Sequence, residues 1–286
     1  MRPRAEIIAW REHAAWRTDA QVEQDLLLTR AVVAIFRDRF LSGEVAMRGG
    51  TVLHKVHLAP AARYSEDIDL VLVGVRPISH ILRALTRVLA PELGPPVRSI
   101  FTTLQLAVRN AVQPSKIARM VFAYRPTIAP PVEMTIKVEV NYTERDPVYS
   151  LLDLPYHPPL PELTEPVMLR SYDLDEMLGT KLRALLQRSQ GRDLFDLHCA
   201  LARHESSLRA GEAALIEPER VAAAFLDYMR RENTRVTRAI FERELARKLA
   251  SRSFRDDVPL VLPAGLAFDV STAAEAIRTT LLVHLP

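Results

Sequence analysis

Two short runs constrain this chain more than any other feature. Each puts apolar side chains on one face of a strand and polar or acidic ones on the other. In Asp67-Ile-Asp-Leu-Val-Leu-Val73, residues two apart point the same way, ~7 Å apart along the chain. Asp67 and Asp69 therefore share a side, while Ile68, Leu70 and Leu72 face a core. In Met134-Thr-Ile-Lys-Val-Glu-Val-Asn141, the residues Met134, Ile136, Val138 and Val140 alternate with Thr135, Lys137, Glu139 and Asn141. Two adjacent carboxylates repel unless a cation lies between them. Hard oxygen ligands of this kind suit Mg²⁺, which keeps positions open for phosphate oxygens. A solvated strand edge would show the same Asp-x-Asp spacing, and a surface face would show the same alternation around Glu139. If the two strands are neighbours, Glu139 joins Asp67 and Asp69 as a third carboxylate.

The surrounding pattern predicts an α+β fold: a mixed sheet with flanking helices, followed by a mostly helical half. Thr18 and Gln21 form a capping box ahead of helically spaced Val22, Leu26, Val33, Phe36 and Phe40. A strand at 45–47 runs into Gly49-Gly50, and further strands are expected at 68–73, 101–109, 117–124 and 132–142, the last two antiparallel, with a helix near 78–89. Prolines cluster at 95–96, at 130–131 and from Pro155 through Pro166. The last cluster cannot be a helix interior, so 154–170 is expected to be an extended connector between a domain at 1–153 and a helical domain at 171–286. Helices are expected in the latter at 174–188, 194–202, 218–230, 236–249 and 273–283, with Gly191 stopping the first.

Of 286 residues, 48% are hydrophobic and 26% charged, and the single cysteine, Cys199, excludes a disulfide framework or a cysteine-based zinc site. No apolar run approaches the ~18 to 20 residues of a membrane span, and no secretory signal is expected, so the expected compartment is the cytoplasm. The net charge is only +3, but residues 230–255 hold nine Arg or Lys against three Glu. Arg231, Arg235 and Arg238 are expected on one helical face, and Lys248, Arg252 and Arg255 on another. Such stripes fit RNA phosphates, and a solvated surface or an acidic protein partner docking there are the alternatives. His54 and His57 share a helical side without further metal-ligand spacing and read as ordinary helix residues.

The stretch Met47-Arg-Gly-Gly-Thr-Val-Leu-His-Lys-Val56, followed by Arg63-Tyr-Ser-Glu-Asp-Ile-Asp-Leu70, resembles the AbiEii/AbiGii toxin family within the DNA polymerase beta-type nucleotidyltransferases. Lys181-Leu-Arg-Ala-Leu-Leu-Gln-Arg188 and Gly191-Arg-Asp-Leu-Phe-Asp-Leu197 are similar to the family's later lysine and R-D-x-x-D-L motifs. The resemblance runs in order over about residues 20 to 200, four motifs in all.

The resemblance implies metal-dependent transfer of a nucleoside monophosphate from an NTP, with pyrophosphate leaving. It also implies a toxin role in a type IV toxin–antitoxin or abortive-infection system, with a cognate antitoxin partner and RNA, foremost the tRNA 3′ acceptor end, as acceptor. On this reading Asp67, Asp69 and Glu139 hold Mg²⁺ or Mn²⁺, and Lys181 and Asp196 complete the catalytic set. Arg48, Gly49, Gly50, Thr51, Ser65, Lys181, Arg192 and Asp193 contact the nucleotide. Asp193 and Asp196 share a helix face and would equally serve as structural ion pairs between helices. Transfer to a protein or small molecule, and a non-catalytic NTP- or RNA-binding scaffold, are the alternatives.

Overall fold

The computed structural model describes residues 3–108, 111–128 and 133–286. The Pro130–Pro131 pair and the expected strand ends at Arg109 and Val132 lie outside the described residues. In chain order the elements are α1 (Arg4–Trp10), α2 (Asp19–Arg37), α3 (Arg39–Glu44), β1 (Val45–Arg48), α4 (Gly49–Val52, continued by a π-helical turn Leu53–His57), β2 (Asp67–Leu72) and α5 (Ile78–Leu93). Then follow β3 (Arg98–Val108), β4 (Ala111–Tyr124), β5 (Met134–Asn141), β6 (Leu152–Tyr156) and β7 (Val167–Ser171). The helices α6 (Leu174–Gln187), α7 (Gly191–Arg209), α8 (Pro218–Arg231), α9 (Arg238–Ala250), α10 (Arg252–Asp257) and α11 (Val270–Thr280) complete the chain.

Local chemistry explains several of these boundaries. Thr18 Oγ1 accepts from the Gln21 amide and Gln21 Oε1 accepts from the Thr18 amide, each at 3.2 Å, so the capping box opens α2 as expected. Asp38 caps α3 and Asp173 caps α6, each accepting from amides of the first turn. Pro218 sits in the first turn of α8, where its missing N–H leaves no bond unmade.

The strands form one mixed sheet in the order β3-β4-β5-β2-β1-β7-β6. β2 runs antiparallel to β1 and parallel to β5, which is antiparallel to β4. Ile68, Leu70, Leu72, Ile136, Val138 and Val140 are almost wholly buried, as their alternation requires. Each such side chain contributes about 1.5–3 kcal/mol of burial. The helix α2 packs against β2 and β7, and α5 packs against β4 and α2. The architecture is α+β, with helices following the sheet.

The segment 154–170, expected as an extended connector, is a correction. It finishes β6 and supplies β7, which pair antiparallel, and β7 lies parallel to β1 through Met47 and Ser171. Pro155 is tolerated because β6 is the edge strand. Tyr156, Leu160, Leu163, Val167 and Leu169 between and around the prolines are buried, so this stretch belongs to the core. The role expected for Gly191 is likewise reversed. α6 ends at Gln187, and Gly191 opens α7, where an added Cβ would fall 2.2 Å from the Phe254 carbonyl oxygen.

The helices α6 and α8 meet at Gly179, where an added Cβ would lie 2.9 Å from the Phe225 amide nitrogen and 3.0 Å from the Val221 carbonyl oxygen. Backbone cannot yield as a flexible side chain can. Gly179→Val is therefore expected to destabilise the protein by about 2 kcal/mol, read as a lowered midpoint in urea denaturation.

Candidate active site

Four charged residues stand side by side across four strands. Arg119 of β4 is the register partner of Glu139 of β5, Glu139 of Asp69 of β2, and Asp69 of Arg48 of β1. The adjacency of the two carboxylate strands expected from sequence is thus present, with Glu139 directly beside Asp69. The outer cations bind elsewhere than on Asp69. Arg119 Nε donates to Glu139 Oε1 at 2.6 Å, and Arg48 Nη1 donates to Glu144 Oε2 at 2.7 Å. Two residues along the same strands, Lys137 lies opposite Asp67, with Nζ 3.6 Å from its carboxylate. Asp69 alone in this group has no hydrogen-bond or ion-pair partner among the described residues.

That isolation perturbs the carboxyls. Burial, then the neighbouring Glu139 carboxylate, pushes the Asp69 pKa up, against the pull of Lys181, Arg48 and Arg188. Burial pushes Asp67 up to about 6, opposed by Lys137 and reinforced by Asp69 and Glu139. Among the described residues no group of three or more His, Cys, Asp or Glu side chains is arranged to hold a metal ion. Two aspartates that gain from a cation, with phosphate oxygens filling other positions, nevertheless fit the hard, partly hydrated coordination of Mg²⁺.

The turn from β1 into α4 is built against these groups. Gly49 has φ +84°, and a Cβ there would lie 2.0 Å from Asp69 Oδ2. A Cβ on Gly50 would lie 2.4 Å from Arg63 Nη2 and 3.2 Å from Ser65 Oγ. Both glycines are thus required by close approach, and Gly49 also by its left-handed backbone. The Thr51 hydroxyl does not face the cleft: it is buried and donates to the Asp67 carbonyl at 2.6 Å, stapling the turn to β2. Ser65 is buried beside Gly50.

Beneath the turn lies a fully buried carboxylate, Asp196 of α7. Arg63 grips it with Nε at 2.5 Å and Nη2 at 2.8 Å, His54 Nε2 lies 2.8 Å away, and Lys181 Nζ is 2.7 Å from Oδ2. Burial alone would raise its pKa, but Arg63 and Lys181 outweigh that and hold it well below the usual carboxylate range. Asp193, also fully buried, takes Arg188 through both carboxylate oxygens at 2.7 Å and lies 3.4 Å from Lys181. Asp196 therefore orients Lys181 and Arg63 rather than presenting itself to a ligand. Lys181 is close enough to Asp69 to lower its pKa, and so is Arg188, whose side chain is about half exposed.

The family model for the nucleotidyl transferase AbiEii toxin of type IV toxin–antitoxin systems matches residues 27–276. The chain belongs to this family. Among solved structures it is similar to MenT4, a nucleotidyltransferase toxin from Mycobacterium tuberculosis H37Rv, with 16% identity over 100% of this chain and 91% of that one, at a TM-score of 0.61. It is also similar to a protein from H. pylori described as a nucleotidyltransferase, with 17% identity, 94% and 96% coverage and a TM-score of 0.53. At these identities the likeness speaks for the fold. A search of curated proteins finds no match. As an AbiEii-family member the chain is a nucleotidyltransferase of the toxin type, with an NTP substrate and an antitoxin partner.

In this AbiEii-family enzyme Asp67, Asp69, Glu139, Arg48, Gly49, Gly50 and Lys181 are brought to one place. Arg192 lies at its margin, 3.5 Å from Glu66 and 3.6 Å from Asp257. Arg63, His54 and Arg188 were missed as site residues by the sequence reading. Arg63 and Arg188 stood inside the quoted motifs and could have been found there. His54 also stood inside a quoted motif, but nothing in a helical stripe foretells its buried aspartate from another helix. A separate concavity of about 530 Å³, lined by His57, Leu154, Asp173 and Arg220 among others, includes none of the carboxylates of the row.

The basic segment needs correction. Lys248, expected at an RNA surface, is buried, and its ammonium donates to the Leu185, Leu186 and Arg188 carbonyls at the end of α6. The two expected stripes are also broken. Arg231 ends α8, Arg235 sits between helices and Arg238 opens α9, while Lys248 and Arg252 lie on different helices. Arg231 pairs with Asp227, Arg238 with Glu242 and Arg252 with Asp256, and Arg255 donates to the Leu249 carbonyl.

Two outcomes follow from this geometry. Asp196→Asn leaves buried cations without their counter-charge and is expected to destabilise the protein by about 3 kcal/mol or more, measured by denaturant unfolding. Gly49→Ala is expected to leave the fold standing but lower nucleotidyl transfer at least ~10-fold, because a strained backbone and a Cβ displace Asp69. Wild-type turnover in that variant would contradict the close packing of the turn.

Proposed function

We propose that this AbiEii-family nucleotidyltransferase moves a nucleoside monophosphate from an NTP to RNA, with the 3′ acceptor end of tRNA as the favoured target. Asp67 and Asp69 would hold Mg²⁺, with Mn²⁺ as the alternative ion and Glu139 beside them as the third carboxylate of the row. The single observation that carries this reading is the unpaired, largely buried Asp69 between Glu139 and Arg48, within electrostatic reach of Lys181 and Arg188. A bound divalent ion would neutralise charge on the triphosphate and favour departure of pyrophosphate.

The chain's own groups supply the rest. Gly49 and Gly50 let Asp69, Arg63 and Ser65 pack directly against the turn, which would set these groups beside the triphosphate. Lys181, fixed by Asp196 and Asp193, and Arg188, fixed by Asp193, act as preset positive charges toward the triphosphate. Arg192 would serve at the margin. In the transfer, the acceptor 3′ oxygen bonds to the α-phosphorus as the bond to the bridging oxygen breaks. Pyrophosphate leaves with that electron pair, and the hydroxyl proton passes to solvent. Positioning and charge carry such a reaction more than covalent chemistry does.

An RNA acceptor is supported by exposed arginines of the C-terminal helices, among them Arg230, Arg247 and Arg252, and by Arg235 in the loop between α8 and α9. Nucleotides added to the tRNA acceptor end would block charging and so translation, an activity of the cytoplasm. On this reading the sheet-bearing part carries the metal and the helical part from residue 171 supplies Lys181. No helix among the described residues is long and apolar enough to cross a membrane.

The test is incubation of the protein with α-labelled NTPs, Mg²⁺ and total RNA. Label is expected in tRNA, and to vanish in Asp67→Ala. Label in protein, or NTP binding without transfer to any acceptor, would sink the RNA reading.

A further inference from the structure

Arg48 and Asp69 are direct partners in the antiparallel register of β1 and β2, so their side chains leave the same face of the sheet. At such positions Cβ atoms lie ~4.5–5.5 Å apart. A guanidinium and a carboxylate placed so close form a charge-assisted pair unless something prevents it. Here it is prevented. Arg48 is turned onto Glu144, and Asp69 is left without a partner among the described residues. Arg48 is largely buried, in the company of Tyr172 and Tyr228 as well as Glu144. Water is therefore a poor alternative for its charge, and Glu144 and Asp69 are the carboxylates that compete for it.

Glu144 is itself held from the other side. Arg183 of α6, two residues beyond Lys181, donates to it through Nη1 at 2.9 Å and Nη2 at 3.1 Å. The Glu144 amide donates to Asn141 Oδ1 at 3.0 Å, fixing the loop where β5 ends. Burial works against the Glu144 charge, but Arg48 and Arg183 outweigh it and keep the group ionised.

We propose that Glu144 is a positioning residue that holds Arg48 off Asp69, and so keeps the Asp69 carboxylate free for a divalent ion. This rests on the reading of Asp69 as a metal ligand. Removing Glu144 releases Arg48 to the one unpaired carboxylate within its reach, where it competes with the cation. A second anchor for α6 is lost at the same time, so the test separates the two effects.

The experiment titrates Mn²⁺ into the intact chain, without NTP, and follows free Mn²⁺ by its EPR signal. Wild type, Asp69→Asn, Glu144→Ala, Arg183→Met and the double variant Arg48→Met/Glu144→Ala are compared, each checked by thermal melting. Glu144→Gln stands in should Glu144→Ala fail to fold. Glu144→Ala is expected to weaken Mn²⁺ binding about tenfold or more, the scale of one charge-assisted bond. The double variant is expected to recover most of that loss, and Arg183→Met to show little of it. Unchanged binding in Glu144→Ala overturns the proposal. So does a loss that Arg183→Met reproduces and the double variant does not rescue, since that is the signature of a loosened helix. Equal binding by wild type and Asp69→Asn removes the metal reading itself and the tether with it.

Discussion

The site depends on one buried carboxylate. Asp196 has no exposed surface, yet it draws together Arg63 from the loop before β2, His54 from the helix after the glycine turn, and Lys181 from α6. An unpaired carboxylate at that depth would be too costly to keep charged. With three partners from three separate segments it becomes the point where the sheet-bearing part and the helical part are locked in register. Lys181 owes its fixed position to that lock, and Arg63 its place beside Gly50.

Above this lock the sheet carries the opposite arrangement. Where Asp196 is over-supplied with cations, Asp69 is denied one: the arginines flanking the row are each engaged by another acid, Glu139 or Glu144. The contrast is electrostatic preorganisation in a simple form. Charges that would cancel one another are held apart, so the field they create remains available to a ligand. Low local dielectric strengthens both sides of this, the attraction within the hub and the repulsion between Asp69 and Glu139.

The C-terminal helices show how charge counted along a chain misleads about charge presented to a partner. Lys248 belongs formally to the basic stretch, but it closes the C-terminal end of α6, just before Arg188. Several of the arginines are paired with an acid three or four residues away on their own helix. Such exposed pairs hold little energy.

The sequence by itself determined the α+β class, the strands carrying Asp67, Asp69 and Glu139, the glycine turn and the capping box that opens α2. Period-two and period-3.6 patterning and cap chemistry are local, and are written in consecutive residues. It misjudged the proline-rich stretch at 154–170, because prolines that forbid a helix are equally at home in an edge strand, and only pairing with β7 and β1 distinguishes that from a linker. Which carboxylate is a hub and which is left open was decided by tertiary structure alone. Asp69, Asp193 and Asp196 look alike in a motif. Their roles differ because partners from distant segments reach some of them and are diverted from the other.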